Sequence, residues 1–187
     1  MKDEAFLEKN IDRLKEARTF ASREFNGLSG QQLNWKASPT DWSIGQCLDH
    51  LIVSDLQYFP ALKQISDGHF KMSGWQRWSP FSGLFGRMLI SQTQEQPVTK
   101  VKSPKIFLPD SNTIDPGVLD RFLKHIDTLI EYISFFRRED LDRTKISSPV
   151  SAIVTLSLRN AITLLVQHEY RHINQAIRIK KSGDFVG

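Results

Sequence analysis

The chain has 187 residues, of which 40% are hydrophobic and 25% charged, and its formal net charge at pH 7 is +4. These values resemble those of folded soluble proteins and exclude a largely disordered chain, and the length fits one domain, 1–187. No apolar run approaches the roughly 18 residues that a membrane span requires, so a membrane protein is excluded as well.

Four segments show the three- and four-residue spacing of apolar side chains that indicates amphipathic helices. They are predicted over residues 3–28, from Ser43 past Pro60, from Pro116 to Arg138, and from Ser157 to Lys181. Ser43 followed by Gln46 predicts a capping box at the start of the second helix, and Pro60 predicts a kink or an early end. We therefore expect an all-α four-helix bundle.

Between the second and third helices lies a long excursion, residues 67–114, rich in Gly, Ser and Pro and also in aromatic side chains. A disordered linker would not contain so many aromatics, so we expect an ordered segment with a short helix at PFSGLFGRMLI. Trp75, Trp78 and Phe81 are candidates for an apolar lid over a binding site. The alternative is a small satellite core that covers one end of the bundle.

The fourth helix contains the sequence HEYRH, which places His168 and His172 one turn apart on the face of its buried apolar residues. His50 lies at or beside the apolar stripe of the second helix, so three imidazoles can meet inside the bundle. A buried polar ring without a partner costs about 1–3 kcal/mol, and a divalent metal supplies a partner. Three histidine ligands leave a coordination position open, as in catalytic sites, whereas the alternative is a hydrogen-bonded core. His69 and His125 are isolated and are weaker candidates.

HEYRH also matches the helix motif of zinc proteases. Those enzymes take a third ligand, glutamate or histidine, from further along the chain, and the residues after His172 contain neither. We also predict little strand along which a peptide could bind, so a peptidase is disfavoured. Glu169 remains a candidate for polarising a metal-activated water, and the alternative is a supporting or surface carboxylate.

Three segments carry a resemblance to a known family: WSIGQCLDHL, SPKIFLPDSNTIDPGVLDRFLKH and HEYRHINQ. In them the chain resembles the DinB-like (DinB/YfiT) superfamily of metal-dependent hydrolases. The resemblance implies an up-down-down-up bundle, a divalent metal, nickel or zinc, on His50, His168 and His172, and a homodimer. It also implies that a low-molecular-weight thiol can be a cofactor. Gln175, one turn past His172, matches the family too and is a candidate to hydrogen-bond a ligand or the activated water.

We therefore expect an enzyme whose metal lowers the pKa of a water molecule or of a low-molecular-weight thiol toward neutrality. Attack by water hydrolyses a small-molecule substrate, and attack by thiolate is an S-transfer. The alternative is a non-catalytic helical module that binds a metal or ligand. Nucleic acid is not an expected partner, because the basic residues are scattered. The single cysteine, Cys47, excludes an internal disulfide and predicts a cytoplasmic protein.

Overall fold

The computed structural model describes residues 2–80, 82–93, 103–109 and 111–185. In chain order the helices are α1 (Lys2–Phe25), α2 (Gly30–Asn34), α3 (Ile44–Leu56), α4 (Phe59–Ser66), α5 (Gly74–Trp78), α6 (Ser82–Gln92), α7 (Val118–Phe135) and α8 (Leu158–Lys180). Single 3-10 turns lie at Lys105–Phe107 and Phe136–Arg138. Strands β1 (Lys145–Ser148) and β2 (Ser151–Ser157) pair as an antiparallel hairpin just before α8.

The four long helices, α1, α3, α7 and α8, form an up-down-down-up bundle, as predicted. Side-chain contacts give the directions of the helices that pack on α1. Helix α7 is antiparallel to α1, as shown by the contacts of Arg137 with Glu4 and of Arg18 with Asp127. Helix α8 is parallel to α1, as shown by the contacts of Arg159 with Asp3, Tyr170 with Arg13 and Lys180 with Glu24. The direction of α3 follows from contacts made by residues in it and just beside it. Toward α8, Trp42 contacts His172 and His50 contacts His168. Toward α7, Asp55 contacts His125 and Phe59 contacts Tyr132. Helix α3 is therefore antiparallel to α8 and parallel to α7.

The apolar faces of the four long helices meet in one core. Leu14 on α1, Leu48 on α3, Phe122 on α7 and Leu165 on α8 are all buried there. Burying each such side chain stabilises the fold by about 1.5–3 kcal/mol, which is why the apolar stripes read from the sequence decide the packing. Cys47 is buried in the same core. Within the part of the chain that the structure describes, no helix combines the length and apolar character needed to cross a membrane.

The predicted helix ends agree with the structure because local signals set them. Ser43 and Gln46 form the capping box at the start of α3. Helix α3 ends at Leu56, and Pro60 lies in the first turn of α4, where its missing amide hydrogen leaves no intrahelical bond unmade. The short helix predicted at PFSGLFGRMLI is α6, which packs on α8 and β2.

The hairpin of β1 and β2 is the only sheet in the described residues, which agrees with the prediction of little strand. Its sequence, KISSPVSAIVTLS, is rich in β-branched residues and has a proline at the turn, which is the usual pattern of two short paired strands. The signal was present but weak, because strands of four and seven residues give only one or two alternations of apolar side chains. The hairpin contacts α6 and the start of α8, and its turn borders the cavity described below.

Replacing Ser43 with alanine is expected to lower the free energy of unfolding by about 1 kcal/mol. Oγ of Ser43 accepts a hydrogen bond from the amide of Gln46 at 3.1 Å in a fully buried cap, so its loss leaves a donor without a partner. Urea unfolding measures the change. Ser29→Ala is the matched control: it removes the same kind of capping box from the short, exposed helix α2. Equal losses in the two variants would contradict the importance of the buried cap.

Candidate metal centre

His50 on α3 and His168 and His172 on α8 bring their imidazole rings together inside the bundle. The ring centroids are 4.5 to 4.9 Å apart, and one ring nitrogen of each residue lies within 4.8 Å of the other two. Nε2 of His50 is 3.1 Å from Nε2 of His168. Two ligands about 2.1 Å from a tetrahedral metal ion are about 3.4 Å apart, so these nitrogens have the spacing of metal ligands.

A main-chain contact fixes the orientation of the His50 ring. Nδ1 of His50 donates a hydrogen bond to the carbonyl oxygen of Phe107, in the single 3-10 turn that precedes α7. Because Nδ1 carries the proton, Nε2 offers a lone pair toward His168. Histidine ligands of metals are commonly held in this way, with the second ring nitrogen bonded to a carbonyl group.

The third ring has an unsatisfied nitrogen. Nδ1 of His172 is buried and has no hydrogen-bond partner among the described residues. Such an orphaned polar atom costs about 1–3 kcal/mol, and coordination to an ion or a hydrogen bond to a ligand removes that cost. The residues present at this site therefore fit a bound divalent metal.

All three imidazoles are neutral at pH 7. Burial lowers the pKa of His168 to about 3 and lowers the pKa of His172 well below its ordinary value, and each is lowered further by its histidine neighbours. Burial also lowers the pKa of His50, against the opposing effect of its bond to Phe107. Neutral imidazole is the form that binds metal ions, so no proton has to leave before an ion enters.

A cavity of about 490 Å³ opens over the three rings, a size that suits a small organic molecule. Trp42 forms one wall, where it stacks on His172 at a centroid distance of 5.6 Å and meets His50 edge-on at 4.7 Å. Much of the remaining lining is apolar, but Arg171 and Gln175 also border the cavity. We did not predict Trp42 or Arg171 as site residues, although both are direct chain neighbours of motif residues.

The structure brings Gln175 to the cavity beside His172, where its amide can reach a ligand. It does not bring the predicted lid residues there. Nε1 of Trp75 donates to the carbonyl oxygen of Ile153 on β2 at 2.9 Å, the Trp78 side chain is 81% exposed, and neither lines the cavity. Phe81 lies outside the described residues. Trp75 lies against the hairpin and both tryptophans are exposed, so they do not form the satellite core of the alternative prediction either.

Glu169 does not line the cavity, although it follows His168 in the chain. Its side chain is 0% exposed, so the alternative of a surface carboxylate is wrong. It lies in a second buried group, with Asp55 on α3 and His125 on α7. Burial raises the pKa of the Glu169 carboxyl well above its ordinary value, and the charge of Asp55 raises it further.

Comparisons with known proteins agree with this fold. The sequence profile of the DinB superfamily matches residues 13–176. An uncharacterised protein of Bacillus subtilis, YuaE, is 27% identical over 175 residues, which cover 89% of this chain and 94% of that protein. The crystal structure of YfiT from the same organism, described as a probable metal-dependent hydrolase with an unusual four-helix bundle topology, matches with a TM-score of 0.60 at 20% identity. That match covers 94% of this chain and 86% of YfiT, and it supports the fold.

Proposed function

The chain belongs to the DinB superfamily, and because three neutral imidazoles converge beneath an open cavity, we propose that it is a metal-dependent hydrolase of small molecules. The convergence of His50, His168 and His172 is the observation that carries this proposal. The description of YfiT as a probable metal-dependent hydrolase supports it. We propose zinc or nickel as the ion, since imidazole nitrogens suit both.

The chemistry that a bound divalent ion would supply is a lower pKa for a water molecule or a thiol, which makes a nucleophile at neutral pH. The residues of the chain supply binding and orientation. Phe107 holds the ring of His50, and Trp42 packs against both His50 and His172, so the three nitrogens stay in place. Leu89, Leu164 and Leu165 give part of the cavity wall an apolar surface, which lowers the local dielectric constant and strengthens electrostatic interactions at the reacting atoms.

Arg171 gives the wall of the cavity a positive charge beside the histidines. Burial lowers the pKa of its guanidinium group, although the ordinary value is so high that the group stays charged at neutral pH. Negative charge develops on the oxygen of a carbonyl substrate when a nucleophile attacks, and a nearby cation stabilises that charge. We propose this role for Arg171, with Gln175 as a hydrogen-bonding group for the substrate.

S-transfer from a low-molecular-weight thiol is the second candidate. The cavity, with a volume of about 490 Å³, is large enough to hold a thiol compound beside a small electrophile. In that case the ion would lower the pKa of the thiol and the same wall residues would position the electrophile. We also propose that the protein acts as a homodimer in the cytoplasm.

A panel of small esters and amides, and of electrophiles offered with cysteine or glutathione, tests the function. We expect turnover that stops on chelation and returns with zinc or nickel. Labelled oxygen from isotopic water enters the product of hydrolysis, whereas S-transfer consumes one thiol for each product. His69→Ala, which changes an exposed histidine away from the cavity, is the matched control and should retain activity. No turnover by protein that holds its metal would contradict an enzyme and favour a binding module.

A further inference from the structure

A second group of metal-binding side chains lies deeper in the bundle than the three histidines. It consists of Asp55 on α3, His125 on α7 and Glu169 on α8. One ligand atom of each lies within 4.8 Å of the other two. We propose that this second group is a binding site for a divalent metal ion, distinct from the three-histidine site.

The carboxylates of the second group have few partners. Asp55 and Glu169 are both 0% exposed. Oδ1 of Asp55 and both Oε1 and Oε2 of Glu169 meet no hydrogen-bond donor from another described residue, and the two carboxyl groups can bond only to each other, through a shared proton. Among the described residues Asp55 has an ion pair only with His125, and no lysine or arginine pairs with Glu169. Buried carboxylates are normally paired with a cation or bound to a metal, because an isolated buried charge is very costly.

The second group also has the ligand chemistry of a metal site. One imidazole nitrogen and two carboxylates form a mixed nitrogen and oxygen set that suits zinc, manganese or iron, and a divalent ion balances the two negative charges. Nε2 of His125 is 3.2 Å from Oδ2 of Asp55, close to the about 3.4 Å that separates two ligands of a tetrahedral ion. The His125 ring stacks on Phe59 at 4.7 Å with an interplanar angle of 5°, which holds Nε2 toward the carboxylates.

The second group lies next to the cavity. Asp55 borders the cavity that opens over the three histidines, and because its side chain is 0% exposed, an ion passes from the cavity to the second group when the side chains around Asp55 move. Glu169 and His168 are consecutive on α8, yet their side chains belong to the two different groups. Helix α8 therefore contributes ligands to both sites, and a filled protein would hold two ions.

Zinc stoichiometry tests the proposal: the full chain is purified without a histidine tag, stripped with a chelator, reloaded with excess zinc and freed of unbound zinc before the ions are counted. We expect two zinc ions per chain in the wild type and one in the His168→Ala, His172→Ala variant. The Asp55→Asn, Glu169→Gln variant should also hold one, now at the three histidines. The second pair of substitutions keeps shape and removes only charge, so circular dichroism should show an unchanged fold.

One zinc ion in the wild type together with none in the histidine variant would overturn the proposal, and the two carboxyl groups would then share a proton. A cobalt(II) titration of the wild type gives an independent test that needs no variant. Two successive phases with different visible spectra are expected for sites of three nitrogens and of one nitrogen with two oxygens. A single phase that saturates at one equivalent would contradict a second site. Either result is separate from the proposed hydrolysis, which requires only the three histidines.

Discussion

Zinc or nickel binding at the three-histidine site is expected to weaken by more than about 1000-fold when His168 and His172 are both replaced by alanine. Changing only an outer partner of a metal ligand typically costs about 10–100-fold, and here two of three direct ligands are lost. His50 is then the only member of the three-histidine group that is left, and one imidazole holds a divalent ion much more weakly than three do. The result would establish the site on which the proposed function depends.

The measurement is competition with a chromophoric chelator, supported by elemental analysis of tag-free protein. The histidine substitutions are compared in a protein that already carries Asp55→Asn and Glu169→Gln. Because that protein lacks the carboxylates of the second group, the measured affinity belongs to the histidines alone. His69→Ala is again the matched control, since it removes one exposed imidazole and should leave the affinity unchanged. Tight binding of one ion by the histidine variant in that background would refute the assignment of the ligands.

The histidine pair on α8 could be predicted because its evidence is local. His168 and His172 are four residues apart, and Leu165 and Ala176 continue the same helical face, so one sequence window shows both the pair and its burial. The position of His50 at the apolar stripe of α3 predicted that it could meet the pair, but nothing local on α3 tells which residue of another helix it contacts, and the resemblance to a family supplied that match. Its bond to Phe107 joins residues 57 apart and could be seen only in the folded chain.

The second group had a signal that we did not use. His125 follows Phe122 by three residues and precedes Leu129 by four, and Glu169 lies four residues from both Leu165 and Ile173. Polar residues with apolar neighbours at these spacings are on the buried face of a helix. That pattern predicts burial but not convergence, because Asp55, His125 and Glu169 meet only when three helices adopt one register. Trp75 and Trp78 were predicted at the cavity and do not border it, because aromatic density in a sequence does not tell which way a side chain faces.

Acidification is expected to destabilise the metal-free protein strongly. The pKa of His168 is about 3 in the fold and about 6.5 in the unfolded chain, so between these values only the unfolded state binds the proton. His168 therefore does not destabilise the fold above pH 6.5, and below that pH the free energy of unfolding falls by about 1.4 kcal/mol per pH unit. At pH 4.5 the loss from His168 alone is about 2.5 kcal/mol. The lowered pKa values of His172 and His50 act in the same direction.

Protonation of Glu169 acts in the opposite direction to protonation of the histidines, so substitutions at the two positions should change the pH dependence of stability in opposite ways. Its pKa is raised in the fold, so the folded state takes up a proton at a higher pH than the unfolded chain does, and acidification toward pH 4.5 adds stability. Urea unfolding with a chelator at several pH values between 7 and 4.5 should therefore show a steeper loss for Glu169→Gln than for the wild type. The His168→Ala, His172→Ala variant should show a shallower one. Parallel profiles for all three proteins would mean that the pKa of neither the histidines nor Glu169 differs between the folded and unfolded states.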